Sequence, residues 1–144
     1  MSANHDERFM QELNGAARAW RAALERQLKA NGLTAAGWSA LSAVAASTEP
    51  PSQRELASQL GVDGATLVAT IDRLAARGLV QRTAASRDRR IKLIVATAAG
   101  QAMTARMQRE AGTLRQRTLE RIDRERLAAA ADVLEVLRQE LEGA

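Results

Sequence analysis

Pro50 and Pro51 end any helix that precedes them, and the stretch from Ser52 to Val80, SQRELASQLGVDGATLVATIDRLAARGLV, is punctuated so closely that few folds accommodate it. Ser52 followed three residues later by Glu55 is a capping box, in which each side chain satisfies an orphan amide of a helical first turn. Leu56, Ala57 and Leu60 then supply a buried face. Gly61 supplies the left-handed turn, and Asp63 caps a second helix whose inward residues are Leu67, Ile71 and Leu74. The small side chain of Ala57 lets the two helices approach, and Gly78 closes the second. After Gly78 the period changes: Leu79 to Thr83 and Ile91 to Ala96 are short β-prone runs joined by a polar, basic stretch, which predicts a hairpin. Helix, tight turn, helix and hairpin in that order make a winged helix-turn-helix, expected over residues 34–97.

The net charge of the chain is confined to the same region. Residues 52–97 carry eight Arg/Lys against four Asp/Glu, whereas residues 1–51 balance five against five and residues 98–144 eight against eight. Arg82, Arg87, Arg89, Arg90 and Lys92 fall within eleven residues opposed only by Asp88, at the tip of the expected hairpin. Focused positive charge on a globular domain is the electrostatic footprint of a nucleic-acid binder, because phosphates attract it irrespective of sequence. Charge alone fits a solvated loop equally well; the helix-turn-helix beside it favours DNA.

The flanks read as scaffold. Residues 6–30 repeat Phe9, Leu13, Ala17, Trp20, Leu24 and Leu28 at three- and four-residue steps, one apolar stripe along a long helix that Asn31 and Gly32 terminate. Thr34 caps a second helix with Trp38, Leu41 and Ala45 inward. Thr97 caps a helix to about residue 119 with Met103, Met107, Ala111 and Leu114 on one face and a soft spot at Gly112. A last helix over about 123–141 carries Leu127, Ala130, Leu134, Leu137 and Leu141, a short heptad seam suited to packing against a second copy. The expected fold is therefore mainly α with a small β-hairpin wing, in one domain over 1–144, with dimerisation helices at 6–31 and 98–142. Burial of both stripes within a monomer is the alternative.

Residue inventory disfavours catalysis. The chain has no Cys and no Tyr, and its one histidine, His5, sits near an N-terminus expected to fray; no carboxylates cluster suggestively. Neither disulfides nor thiolate metal ligands are possible, no cofactor is expected, and no stretch approaches the roughly 20 apolar residues of a membrane span. The expected address is the cytoplasm.

The segment LVQRTAASRDRRIKLIVAT, residues 79–97, resembles the wing motif of the MarR transcription regulators, Asp-x-Arg followed by a strand ending in Thr, with Asp88, Arg90 and Thr97 in register and Ala96 where that family usually has Leu. RAWRAALERQL and LTAAGW, within Arg18 to Trp38, resemble the SlyA branch. The resemblance implies a homodimer built from the first and last two helices, with two winged modules reading a pseudo-palindromic, A·T-rich operator in double-stranded DNA. On the second helix of the module the period leaves Ala65, Thr66, Ala69, Asp72, Arg73 and Ala76 facing away from the core. Ala69 stands where SlyA-like chains tend to carry Arg, so thymine-methyl contacts by Ala65 and Ala69 are expected instead of a bidentate guanine contact, with Thr66 donating to a base or phosphate and Arg73 compensating or gripping a phosphate. Ser52, Gln53 and Thr70 complete the expected helix contacts. In the wing, the resemblance sends Arg90 into the minor groove with Asp88 orienting it, and Arg87 and Arg89 read as phosphate partners; Lys92 reads as either a contact or a solvated strand charge. The resemblance also implies a repressor relieved by a small aromatic or phenolic acid, at positions matching Arg18, Trp20, Arg21, Trp38 and Ser42, although with three aromatic residues in the chain core or interface packing is the favoured role of the tryptophans. A winged-helix module that binds a protein partner, or DNA without sequence preference, is the competing reading.

Overall fold

The computed structural model describes residues 2–144 and, among them, six helices and one hairpin: α1 (Ser2–Ala30), α2 (Ala35–Ala46), α3 (Gln53–Leu60), α4 (Gly64–Ala76), β1 (Val80–Ala84), β2 (Lys92–Ala96), α5 (Ala98–Leu119) and α6 (Arg124–Glu142). Two compact units divide the chain, one up to Glu110 and one from Ala111 onward.

The first unit is organised by its caps. Thr34 Oγ1 accepts from Gly37 N at 3.0 Å and starts α2. Ser52 Oγ accepts from Glu55 N at 3.0 Å while Ser52 N donates to Glu55 Oε1, so the capping box of α3 is complete. Gly61 adopts φ 67°, a conformation that would strain any other residue, and Asp63 Oδ1 accepts from Thr66 N at 2.8 Å to start α4. Each cap fixes where a helix begins, and the left-handed glycine between α3 and α4 fixes the angle of the turn.

These helices close over a core of Leu28, Leu33, Ala40, Leu41, Val44, Leu56, Ala57, Leu67, Ile71, Leu74, Leu79, Val80, Ile94 and Met107. Leu41, Leu56, Leu67, Ile71 and Ile94 have essentially no exposed surface, so α2, α3, α4 and the hairpin share one apolar centre. β1 and β2 pair antiparallel from Val80 opposite Ala96 to Ala84 opposite Lys92. A third segment joins them: Ile94 N donates to Pro51 O at 2.9 Å and Ser52 bridges Leu93, so the chain entering α3 is stitched to the outer edge of the wing. A single bridge leaves no periodicity in a sequence, and the expectation of a plain hairpin omitted it. At the other end of the hairpin Thr97 N donates to Leu79 O, Thr97 Oγ1 donates to Gly78 O, and the same hydroxyl accepts from Gly100 N to cap α5.

One expectation for the long helices needs correction: His5 lies inside α1, which runs from Ser2 rather than fraying to residue 6, whereas α5 continues through Gly112 to Leu119 as expected. The stripe of α1 is graded: Leu28 is buried, Leu13, Ala17, Trp20 and Leu24 are half-buried, and Phe9 is exposed. In the second unit Asp123 caps α6 through Arg126 N, and no residue of that helix is buried. Its apolar surface is wider than the expected seam, since Val133 and Val136 are exposed together with Leu134 and Leu141.

Candidate nucleic-acid interface

α4 presents Gly64, Ala65, Thr66, Val68, Ala69, Asp72, Arg73 and Ala76 to solvent, which is the expected face with two additions, Gly64 and Val68. Val68, 37% exposed, lies three residues after Ala65 and directly before Ala69 and makes that stripe apolar. Sequence reasoning passed over it because a β-branched apolar residue is more often inside. Thr70 is the reverse error. It is buried among Leu67, Ile71 and Leu74, and its hydroxyl donates to Thr66 O at 3.1 Å, so it does not belong to the exposed set. A threonine that bonds the carbonyl one turn back carries no unsatisfied group and tolerates burial.

Other hydroxyls of the expected set are also committed. Ser52 is buried and caps α3. Thr66 Oγ1 donates to Asp63 Oδ2 at 2.7 Å, so its proton is engaged and only its lone pairs face outward. Those bonds from the Thr66 amide and hydroxyl hold the Asp63 carboxyl below its ordinary pKa. Arg73 stays exposed beside a shallow recess of about 50 Å³ that it lines with Arg77, Leu74 and the loop from Gly32 to Thr34. Arg77 is structural: Nη1 donates to Gly32 O at 2.7 Å and Nη2 to Asn31 O at 3.0 Å, satisfying carbonyls at the end of α1.

At the wing tip the contact between Asp88 and Arg90 that the resemblance implied is present. Arg90 is 92% exposed, yet its backbone N and its Nε both donate to Asp88 Oδ1, at 2.9 and 3.2 Å, and its Nη2 donates to Asp88 Oδ2 at 3.2 Å. A planar guanidinium held along its Nε–Nη2 edge by both oxygens of one carboxylate is aimed rather than free. The same contact, the Arg90 side chain foremost, holds the Asp88 carboxyl below its usual range. Arg87, Arg89, Ile91 and Lys92 are exposed around it, with Lys92 opening β2. Arg82, counted with the finger by sequence position, is instead turned inward: its Nη2 meets Asp72 Oδ1 at 2.7 Å and its Nε donates to Gln53 Oε1 at 3.1 Å. Gln53 is half-buried accordingly. Only a separation of ten and of twenty-nine residues, invisible to local pattern, links those partners.

The five ligand-site candidates divide among different surroundings. Trp38 packs against the core, Trp20 is half-buried on α1, and Arg18 and Arg21 are exposed. Ser42 lines an open cavity of about 220 Å³ with Ala45, Ala46, Gln101, Thr104, Ala105 and Gln108, none of them aromatic or charged. Among the described residues no group of His, Asp and Glu is placed to hold a metal ion, and no helix is long and apolar enough to cross a membrane.

Residues 31–91, from the end of α1 through the wing tip, match the model of the MarR family. Over a longer span the chain is similar to the transcriptional regulator PA3341, with 38% identity covering 94% of this chain and 99% of the other at a TM-score of 0.65. It is also similar to CouR from Rhodococcus jostii RHA1, solved bound to p-coumaroyl-CoA, with 29% identity over 87% of each chain and a TM-score of 0.64. YusO from Bacillus subtilis shares the fold, with a TM-score of 0.88 over 96% of this chain and 98% of that one at 19% identity. PA3341 is a transcription regulator and not an enzyme. Because the capped helix pair and the Asp88–Arg90 wing lie inside the matched region, and the identity to a regulator runs nearly the length of both chains, this chain belongs to the MarR family of winged-helix transcription regulators.

Proposed function

We propose that the protein is a homodimeric, sequence-specific regulator of double-stranded DNA that represses by occluding a promoter, with α4 in the major groove and Arg90 in the adjacent minor groove of each half of an A·T-rich inverted repeat. The observation that carries this reading is the Asp88–Arg90 pair, an exposed, pre-aimed guanidinium at the tip of the only strongly basic segment of the chain. An arginine held in this way loses little side-chain entropy on entering a narrow groove, where negative potential is enhanced. Arg87 and Arg89 are the phosphate contacts, Arg73 and Thr66 the polar contacts of the helix, and Ala65, Val68 and Ala69 the surface for thymine methyl groups. Dimerisation rests on the exposed apolar residues of α6 and on the outward part of the α1 stripe, which a lone chain would leave in water.

The sequence between Arg18 and Trp38 favours the SlyA-like branch, and an aromatic or phenolic acid as inducer is the reading consistent with it. Supporting this are the 29% identity to CouR, solved bound to p-coumaroyl-CoA, and the cavity beside Ser42. Because Arg18 and Arg21 do not line that cavity, the carboxylate clamp expected from them would have to form at a separate surface.

Selection of genomic fragments with purified protein tests the DNA reading. Recovery of an A·T-rich inverted repeat is expected; recovery of fragments with no shared site would leave a non-specific architectural binder, and recovery of none would favour a protein partner. Quenching of tryptophan fluorescence by salicylate, with release of the recovered fragment, tests the inducer.

A further inference from the structure

Arg82 belongs by sequence to the basic finger, but its side chain is only 28% exposed and its bonds run inward to two helices. From β1 its Nε donates to Gln53 Oε1 on α3 at 3.1 Å, and its Nη2 reaches Val68 O at 3.4 Å and Asp72 Oδ1 at 2.7 Å on α4. A guanidinium presents donors along a rigid, planar edge, so one residue ties the stem of the wing to both helices of the reading module. The Asp72 side chain remains 60% exposed, on the same stripe of α4 as Ala65, Val68 and Ala69. A bare carboxylate in that place would meet the phosphates that flank a major groove, and the base edge that suits it best is a cytosine amino group.

We propose that Arg82 is a positioning residue for DNA recognition: it neutralises Asp72 at the reading face and fixes α4 to the wing, so that helix and finger meet the duplex in a constant register. The inference rests on the assignment of α4 and the wing to DNA. Arg82 spends its donors on protein acceptors and therefore contributes affinity without releasing a counterion. That separates it from Arg87 and Arg89, whose loss lowers the dependence of binding on salt.

The test is a fluorescence-anisotropy titration of wild type, Arg82→Ala, Arg82→Ala with Asp72→Asn, and Arg87→Ala. The probes are the duplex recovered by fragment selection and a random duplex of equal length, each at several salt concentrations, with melting temperatures measured alongside. Arg82→Ala is expected to weaken binding to the recovered duplex roughly tenfold to a hundredfold, because like charges then face each other across the interface. Its salt slope is expected to stay at the wild-type value, and Asp72→Asn in the same chain is expected to restore most of the affinity. Arg87→Ala is expected to lower the slope by about one unit. If Arg82→Ala does not fold, Arg82→Gln, which keeps a donor and drops the charge, carries the same comparison with Asp72→Asn. Unchanged affinity, a lowered slope, or no restoration in a folded double variant would overturn the proposal. Failure of the wild type to prefer the recovered duplex over the random one would instead overturn the DNA reading itself, and this inference with it.

Discussion

Gly100→Ala tests how the wing is joined to α5, and the sign of its effect separates two physical expectations. In most helices replacing Gly with Ala is favourable by up to about 1 kcal/mol, since the unfolded chain loses freedom it would otherwise have to give up. Gly100 lies three residues after the cap Thr97 and is buried, and a Cβ there would overlap the carbonyl oxygen of Leu79 outright, with Leu79 C at 3.0 Å and Leu41 Cδ1 at 3.3 Å. Neither neighbour can yield cheaply: Leu79 O accepts from Thr97 N at 3.1 Å, and Leu41 is fully buried. The first turn of α5 would have to retreat by roughly 1 Å to restore normal separations, breaking the Thr97 contacts to Gly78 and Leu79 as it moves. Forced overpacking of a rigid core costs about 1–3 kcal/mol, and a backbone collision belongs at the upper end. Set against the gain in propensity, the net loss is about 2 kcal/mol, or a fall in Tm of about 4–8 °C for a chain of this size. Calorimetry of both proteins at one fixed concentration reads it, since a self-associating protein melts at a concentration-dependent temperature. An unchanged or raised Tm would show that α5 does not rest on the Leu79 carbonyl.

Other consequences are as direct. Replacing the thymines under Ala65, Val68 and Ala69 by deoxyuridine is expected to weaken the wild type about fourfold per buried methyl and Val68→Ala by less, as measured by anisotropy; equal losses in both proteins would exclude Val68 from the contact. Glu110 is held below the ordinary carboxylate pKa first by the Arg106 side chain and then by Asn31. A depressed carboxylate lends stability that is complete above its unfolded pKa and disappears as the pH falls through the folded one. Glu110→Gln should therefore be less stable than wild type in urea at neutral pH and equal to it at pH below the carboxylate range, whereas a constant difference would remove the ionised form from the explanation. Val136→Glu on the exposed face of α6 is expected to leave the helix content intact by circular dichroism and to shift sedimentation from dimer to monomer; a wild type that sediments as a monomer would refute the seam.

How much of this was legible depended on the range of the interaction. The caps at Thr34, Ser52, Asp63 and Thr97 and the left-handed turn at Gly61 are written within three or four residues, and all five are present. The Asp88–Arg90 grip is also local, two residues apart. Arg82 and Arg77 were misplaced or overlooked because their partners lie on other elements, up to 46 residues away, and a sequence shows a cation without showing what it touches. Thr70 and Val68 were exchanged for a different reason. Polar chemistry was allowed to override the period, although Leu67, Thr70, Ile71 and Leu74 are one continuous helical face and Val68 is not on it. The ligand candidates came from a resemblance rather than from geometry, and three-dimensional placement distributes them over different surfaces.

The central claim, that a pre-aimed wing arginine and an apolar reading helix make this chain a specific DNA binder, is tested most directly by titrating wild type and Arg90→Ala against the recovered duplex and a random duplex across a range of salt concentrations. The account predicts a wild-type preference of about a thousandfold or more with a steep fall in affinity as salt rises, and in Arg90→Ala a large loss of that preference with the melting temperature unchanged. Equal affinity of the wild type for both duplexes, or a preference that survives loss of Arg90, would contradict it.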